Sequence, residues 1–285
     1  MELYTRSYTG LSLQLAHYFG IPLPILPHST LNEKFNISAS ASLGTNELPR
    51  VAYFAIGNGG HASKSGINSF PLLENKIHKS RDTGMFNQLP FVLRPVGNDL
   101  DDNQRTEYAL RRVEEHNGQT YIAYYLKRLD RSALQIKTHN RAIDVNQQTV
   151  ISNFEPVSDD LSPVPEDLVN SGVNSVKGKY IGSTVNLTIP FTAFDSDELL
   201  NAVMIIYGSE YYAIISETAL VSGVDRTVSS NDGQAGTISF NECVCAQIVN
   251  HIPVLQPVFS QRQGFDITAE VGGIEPLLNL ELIQP

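Results

Sequence analysis

Residues 106–130, "TEYALRRVEEHNGQTYIAYYLKRLD", decide whether this is a sheet protein or a helical one. Asn117-Gly118 is the dipeptide favoured at the centre of a two-residue type I′ turn, where both positions need positive φ. Asp130 closes the second arm. Successive side chains on a strand point to opposite faces. Tyr121, Ala123 and Tyr125 therefore share one side, and Ile122, Tyr124 and Leu126 the other. Apolar residues on both sides require a strand buried on both faces. The rival is a helix over "NQRTEYALRRVEEH" (Asn103–His116), capped by Asp101 or Asp102. The hairpin is the preferred reading.

Working outward, "VAYFAIGNGG" (Val51–Gly60) is a buried strand that meets a glycine turn. "GKYIGSTVNLTIPF" (Gly178–Phe191) alternates, with Val185, Leu187 and Ile189 in phase. The stretch from Asp195 to Asp225 opens like a helix and continues in β-branched and aromatic runs. "GTISFNECVCAQIVNHIPVL" (Gly236–Leu255) is another strand, its apolar phase ending at Pro253. The tail from Gly264 offers one or two short strands. No repeat of 20–50 residues is apparent. The expected fold is mainly β with minor α, built as β-sandwich or barrel-like domains.

The first thirty residues suggest an extended arm. Prolines in "FGIPLPILPHS" (Phe19–Ser29) fix φ and remove backbone donors, and Leu23, Ile25 and Leu26 suit a neighbour's surface better than water. "NFEPVSDDLSPVPEDL" (Asn153–Leu168) concentrates three prolines and five acids, as a solvated linker does. The division expected is an arm at 1–30, a β-rich domain with the hairpin at 31–152, an acidic Pro-rich linker at 153–167, and a second β-rich domain at 168–285.

At 285 residues the chain is long enough for two cores. Hydrophobic residues at 41% and charged ones at 18% mark a globular composition. The net charge of −10, with basic residues scattered, argues against a direct nucleic-acid partner. No secretory signal is visible, and no run approaches the ~20 apolar residues that a membrane helix needs, so no membrane insertion is expected. Cys243 and Cys245, two residues apart, make a poor disulfide. A chain made in a reducing cytosol fits.

The candidate sites reduce to structural readings. Gly57-Asn58-Gly59-Gly60-His61-Ala62 fits G-x-G-x-x-G/A, and Asp82 lies where a ribose-binding acid is sought. However, "SKSGINSFPLL" follows, with no helical period to aim amides at a pyrophosphate. The glycines instead suit a bend where backbones approach closely. "DLDDN" (Asp99–Asn103) lacks the glycine and the glutamate of a calcium loop, and reads as a turn or cap. "DSDE" (Asp195–Glu198) also reads as a cap. Cys243, Cys245 and His251 number three zinc ligands at most, in an apolar strand, so buried thiols are expected. Among seven histidines, His61 is the one to test as a base, with Ser63 and Ser65 nearby. No G-x-S-x-G elbow exposes a nucleophile. No catalytic residue, cofactor or metal is expected.

"YYAIISETALVSGVDRTV" (Tyr211–Val228) resembles a phrase of virion tail proteins of tailed bacteriophages, I-x-E-x-A/G-L-x-x-G, which runs strand, turn and strand. The matching residues are Ile215, Glu217, Ala219, Leu220 and Gly223. "FNQLPFVLRP…NGQTYIAYYLKRLD" (Phe86–Asp130) is similar to phage structural proteins of the baseplate, neck or tail hub. The resemblance spans about half of the chain. It implies a non-enzymatic virion protein, assembled in the host cytoplasm and placed in the tail, baseplate or head–tail connector. Other virion proteins, in a multi-copy symmetric assembly, would be its partners. Abundant Tyr and Phe suit large interfaces. The residues expected to make subunit contacts are Tyr4, Tyr8, Leu23 and Ile25 in the arm, and Leu277, Leu278 and Leu280 in the tail. Deleting residues 1–30 should leave the core folded. The alternative is a carbohydrate-binding or depolymerising β-sandwich with exposed tyrosines against sugars, weakened by the absence of Trp. A small-molecule enzyme built on Gly57–His61 ranks below both.

Overall fold

The computed structural model describes residues 4–37, 43–65, 71–143, 148–164, 179–231 and 237–276. The elements run β1 (Thr5–Arg6), α1 (Tyr8–Phe19), α2 (Leu31–Lys34), β2 (Arg50–Gly57), β3 (His61–Ser65), β4 (Pro71–Asn75), β5 (Gln88–Leu89), β6 (Val92–Pro95) and α3 (Asp102–Arg105). They continue with β7 (Tyr108–His116), β8 (Gln119–Arg128), β9 (Ile136–Ile143), β10 (Thr149–Asn153), β11 (Lys179–Phe191), α4 (Ala193–Tyr207), β12 (Ile214–Asn231), β13 (Thr237–Pro257) and β14 (Phe265–Pro276). The protein is mainly β with minor α, in antiparallel sheets of which none among the described residues closes into a barrel.

The chain divides into two compact units, Met1–Arg131 with Ile189–Ile267, and Ser132–Thr188 with Thr268–Pro285. They interleave along the sequence, rather than following one another as 31–152 and 168–285 across a linker. The acidic Pro-rich stretch leaves β10 and holds one exposed 3-10 turn, Ser158–Leu161, within the second unit.

The first unit carries an eight-stranded sheet in the order β1-β13-β12-β2-β8-β6, with β5 beside β2 and β7 beside β8, and a separate β3–β4 pair. The β7–β8 hairpin forms as expected. His116 pairs with Gln119, and Asn117 and Gly118 take φ of 51° and 76°. β8 is buried on both faces. Tyr121, Ala123 and Tyr125 join a cluster with Phe35, Tyr53 and Leu93, while the ring of Tyr124 lies 6.1 Å from that of Tyr108. β2 divides its side chains the same way. Tyr53 and Ala55 enter that cluster, and Phe54 meets Phe91 edge-on at 5.1 Å. The rival helix survives only as α3, which Asp101 caps in a reciprocal capping box with Gln104.

The expected extended arm is corrected over residues 8–19, which form α1. Ser7 caps it by accepting from the Gly10 amide, and Gly20, in the left-handed region at φ 62°, ends it. Its start is tied to the sheet. β1 pairs with β13 at Thr5–His251, and the buried Ser7 hydroxyl donates to the Ile248 carbonyl at 2.6 Å. Removing residues 1–30 would therefore strip an edge from the main sheet rather than spare the core.

Two other expectations change. Residues 211–228 contain no turn between two strands. After the 3-10 turn at Glu210–Tyr212, they run in the single strand β12, with register shifts at Ile215/Glu217, Leu220/Val221 and Ser222/Val224. β13 likewise runs on through Pro253 to Pro257, while the described part of the tail forms the strand β14, in keeping with the one or two strands expected there.

The second unit is a four-stranded sheet ordered β10-β9-β11-β14. Few of its described side chains are buried. Every residue of β10 is exposed, and Ile136, Val150 and Ile151 are 77%, 52% and 54% exposed.

Candidate functional site

The glycine stretch is a bend between strands. β2 ends at Gly57 and β3 begins at His61, so no helix follows to aim amides at a ligand. The bend's amides are occupied by the chain itself. Gly59 N donates to Glu217 Oε1 at 3.1 Å and Gly60 N to Ser216 Oγ at 3.0 Å. Space requires glycine here: a Cβ on Gly60 would lie 2.3 Å from the Ser216 carbonyl oxygen, and one on Gly59 2.6 Å from Asn87 N. The loop does bind an anion, and that anion is a carboxylate supplied from β12.

Glu217 is 2% exposed and follows the first register shift of β12, an irregularity of the kind that re-aims a side chain. Besides Gly59 N it accepts from Asn87 N at 2.8 Å, Phe86 N at 3.0 Å and His78 Nε2 at 2.8 Å. Burial alone would raise its pKa. The hydrogen bond from His78 and those from the Asn87 and Phe86 amides outweigh burial and hold it below the ordinary value. His78 lies between the rings of Phe86 and His251, both at 3.8 Å, and its Nδ1 meets Asp82 Oδ2 at 3.3 Å. Both ring nitrogens of His78 thus face carboxylate oxygens.

The anchored bend presents Asn58 and His61 to a cleft of about 590 Å³, whose other walls are Asn87, Tyr207, Ser209, Tyr211, Tyr212 and Ile214. α4 brings Tyr207 on its last turn and stops at Gly208, at φ 73°. The 3-10 turn Glu210–Tyr212, capped by Ser209, then sets the other two tyrosines. Tyr207 and Tyr212 stack at 4.7 Å, and Tyr211 meets Phe259 edge-on at 5.5 Å. Asn87 Nδ2 donates to Asn58 Oδ1 at 2.5 Å and to the Tyr207 hydroxyl at 2.8 Å, while Asn58 Nδ2 donates to the Tyr212 carbonyl at 3.1 Å. Tyr211 and Tyr212 remain 74% and 51% exposed, and buried His61 Nδ1 has no hydrogen-bond partner. The lining has no lysine, arginine or carboxylate. It offers aromatic faces, amides and hydroxyls, with no nucleophile paired to a base among them. The side chains of Ser63 and Ser65 lie outside the described set.

The other sequence candidates resolve as caps and core. Asp195 closes the capping box of α4 with Thr192, and is fully buried. Asp99 takes Arg111 and the Tyr124 hydroxyl. Cys243 and Cys245 are buried thiols, and burial pushes both pKa values up, that of Cys245 to about 12. That is the reverse of activation. Among the described residues no group of histidine, cysteine and acid side chains is arranged to hold a metal ion. None of the described helices is long and apolar enough to cross a membrane.

Two buried groups, His251 and Glu242, make opposing pH-dependent contributions to stability. Burial first, and then the charge of His78, lowers the His251 pKa from 6.5 to about 4. The folded state thus holds fewer protons than the unfolded chain between those values, and stability is lost as pH falls from 6.5 towards 4. Glu242 opposes this. Burial raises its pKa from 4.5 to about 7, despite hydrogen bonds from Cys243 N and Leu110 N, so its contribution is lost as pH rises through that window. Each is worth about 3 kcal/mol, and the two nearly cancel near pH 5. Glu242→Gln keeps the accepting oxygen and removes the titration. Urea midpoints of this variant should fall by the equivalent of about 3 kcal/mol from pH 7 to 4.5, with the wild type nearly flat; parallel profiles for the two proteins would contradict the assignment.

The residues expected to contact neighbours differ in exposure where they are described. Tyr4 and Tyr8 are half-buried, and Tyr8 begins α1, donating its amide to the Ser80 carbonyl at 2.8 Å. Leu23 is buried within its own chain, whereas Ile25 is exposed. Leu277, Leu278 and Leu280 lie outside the described residues. What sequence reading missed is the outer face of α1, with Leu11, Leu15, Tyr18 and Phe19 exposed. The cap residues Ser7 and Gly20 and the apolar residues three and four apart were the available signals. It also missed Tyr207, Tyr212 and Asn87, which nothing local joins to the bend.

No curated protein and no solved structure matches this chain. A family model described as a family of unknown function (DUF7208) matches residues 1–284, and the chain belongs to that family.

Proposed function

We propose that this protein is a structural component of a tailed-phage virion, in the tail, baseplate or head–tail connector, and that it works by assembly contacts with neighbouring subunits rather than by catalysis. The observation that carries this reading is the apolar surface of residues 11–26. Leu11, Leu15, Tyr18 and Phe19 on α1 are 49%, 46%, 82% and 65% exposed, and Ile21, Ile25 and Leu26, which follow in sequence, are 51%, 41% and 50% exposed. Leu11, Leu15 and Tyr18 recur at helical spacing on one face of α1, and exposed apolar faces of this kind mark interaction sites. Covering it with a neighbour stabilises by about 25 cal/mol per Å², and multiple copies add avidity. The resemblance at Ile215, Glu217, Ala219, Leu220 and Gly223 supplies the virion context, and the thinly buried second unit is in keeping with completion by other chains.

The test substitutes the outer face of α1 without touching its buried side. Leu15→Glu with Tyr18→Glu should leave the unfolding midpoint within about 0.5 kcal/mol of wild type, since exposed sites tolerate change. The variant should be missing from purified particles that contain the wild-type chain. Normal incorporation of the variant, or particles that never contain the wild-type protein, overturns the proposal.

A further inference from the structure

We infer that the cleft beside the glycine bend is a binding site for neutral saccharides, and this stands whether or not the chain is a virion component. The cleft's volume, about 590 Å³, lies within the range of small-ligand sites. Two features set the ligand's chemistry. The first is aromatic surface left in water. Tyr211 and Tyr212 are 74% and 51% exposed, although each is fixed by a neighbour, Tyr211 against Phe259 and Tyr212 stacked on Tyr207. Rings held in place and open on the outside give an apolar platform at little cost in side-chain freedom.

The second is the kind of polar group beside the platform. Asn58, Asn87 and the Tyr207 hydroxyl form one hydrogen-bonded chain, and buried His61 Nδ1 has no partner. Amides, hydroxyls and an imidazole ring offer both donors and acceptors. Sugar hydroxyls do the same, while their axial C–H faces suit aromatic rings. With no lysine, arginine or carboxylate in the lining, no fixed charge balances a phosphate or an ammonium group, so a neutral glycan is favoured over a charged one. A proline-rich peptide also seeks aromatic grooves, but it presents carbonyl acceptors alone and would leave the accepting groups of this chain unmatched.

Isothermal titration of the full chain with cellohexaose, maltohexaose and chitohexaose, and with decaproline as a peptide probe, tests the assignment. At least one sugar should bind saturably at millimolar concentration or below. Tyr211→Ala should weaken that binding roughly tenfold, Tyr211→Phe should retain it, and Tyr18→Ala on α1 should leave it unchanged. Tyr211 is largely exposed, so none of these outcomes depends on folding. No sugar binding, equal binding by Tyr211→Ala, or binding of decaproline in place of sugar overturns the inference.

Discussion

Glu217→Ala is expected to cost about 4 kcal/mol of folding stability, measured as a fall in the urea midpoint at constant slope. Four donors lose their acceptor together: Gly59 N, Phe86 N, Asn87 N and His78 Nε2. Each buried donor left unmade costs about 1–3 kcal/mol. The sum is not additive, because the bend can relax and Asp82 still faces His78. Glu217→Gln separates charge from shape. Its oxygen can serve Gly59 and Asn87, and its amide can donate to His78 once that ring changes tautomer, but the Phe86 amide is left facing another donor. About 2 kcal/mol is expected for this variant. A loss below about 1 kcal/mol for alanine would mean that the carboxylate does not organise the bend.

Asp195→Ala should be comparably damaging, at about 4 kcal/mol. The side chain is fully buried and accepts from Lys127 Nζ at 2.5 Å, the Tyr108 hydroxyl at 2.7 Å, and the Thr192 amide and hydroxyl at 2.7 and 2.6 Å. It therefore neutralises a lysine that β8 buries, and starts α4. Burial, followed by the charge of Asp195, raises the Tyr108 pKa far above its usual value, so that hydroxyl stays a donor. Asp195→Asn preserves the shape and strands the ammonium group of Lys127, whose other counter-ion among the described residues is the exposed Glu107 at 3.9 Å. Adding Lys127→Met should then recover part of the loss, because an apolar side chain costs less there than an unpaired charge. A double variant less stable than Asp195→Asn alone would refute the pairing as the cause.

Both predictions concern residues whose importance depends on partners far away in sequence, and this separates what could be read from the chain. Tyr121 to Leu126 announced a two-sided strand because side-chain alternation is local. Asn117-Gly118 announced the turn because positive φ is a local demand. Asp101 and Asp195 were legible as caps for the same reason. α1 was not legible. Its buried Leu13 and Ala16 and exposed Leu11, Leu15 and Tyr18 put apolar residues on both faces, and the following prolines drew the whole segment toward an extended reading. The cleft was legible only in half. Gly57–His61 marked a bend, but Asn87 and the tyrosines reach it from 26 to 154 positions away (Asn87 − His61, and Tyr212 − Asn58).

Alternation, turn chemistry and capping are written in neighbouring residues. From them the sequence alone determined a β-rich protein, the β7–β8 hairpin, the strand ending at Gly57, and a bend rather than a nucleotide loop. Tertiary structure decided which strand lies beside which, and with that the interleaving of the two units, the carboxylate filling the bend, and the tyrosines meeting it. The reason is physical: hydrogen-bond ladders and buried charge pairs take their free energy from contacts between distant segments, and a linear pattern does not encode the choice of partner.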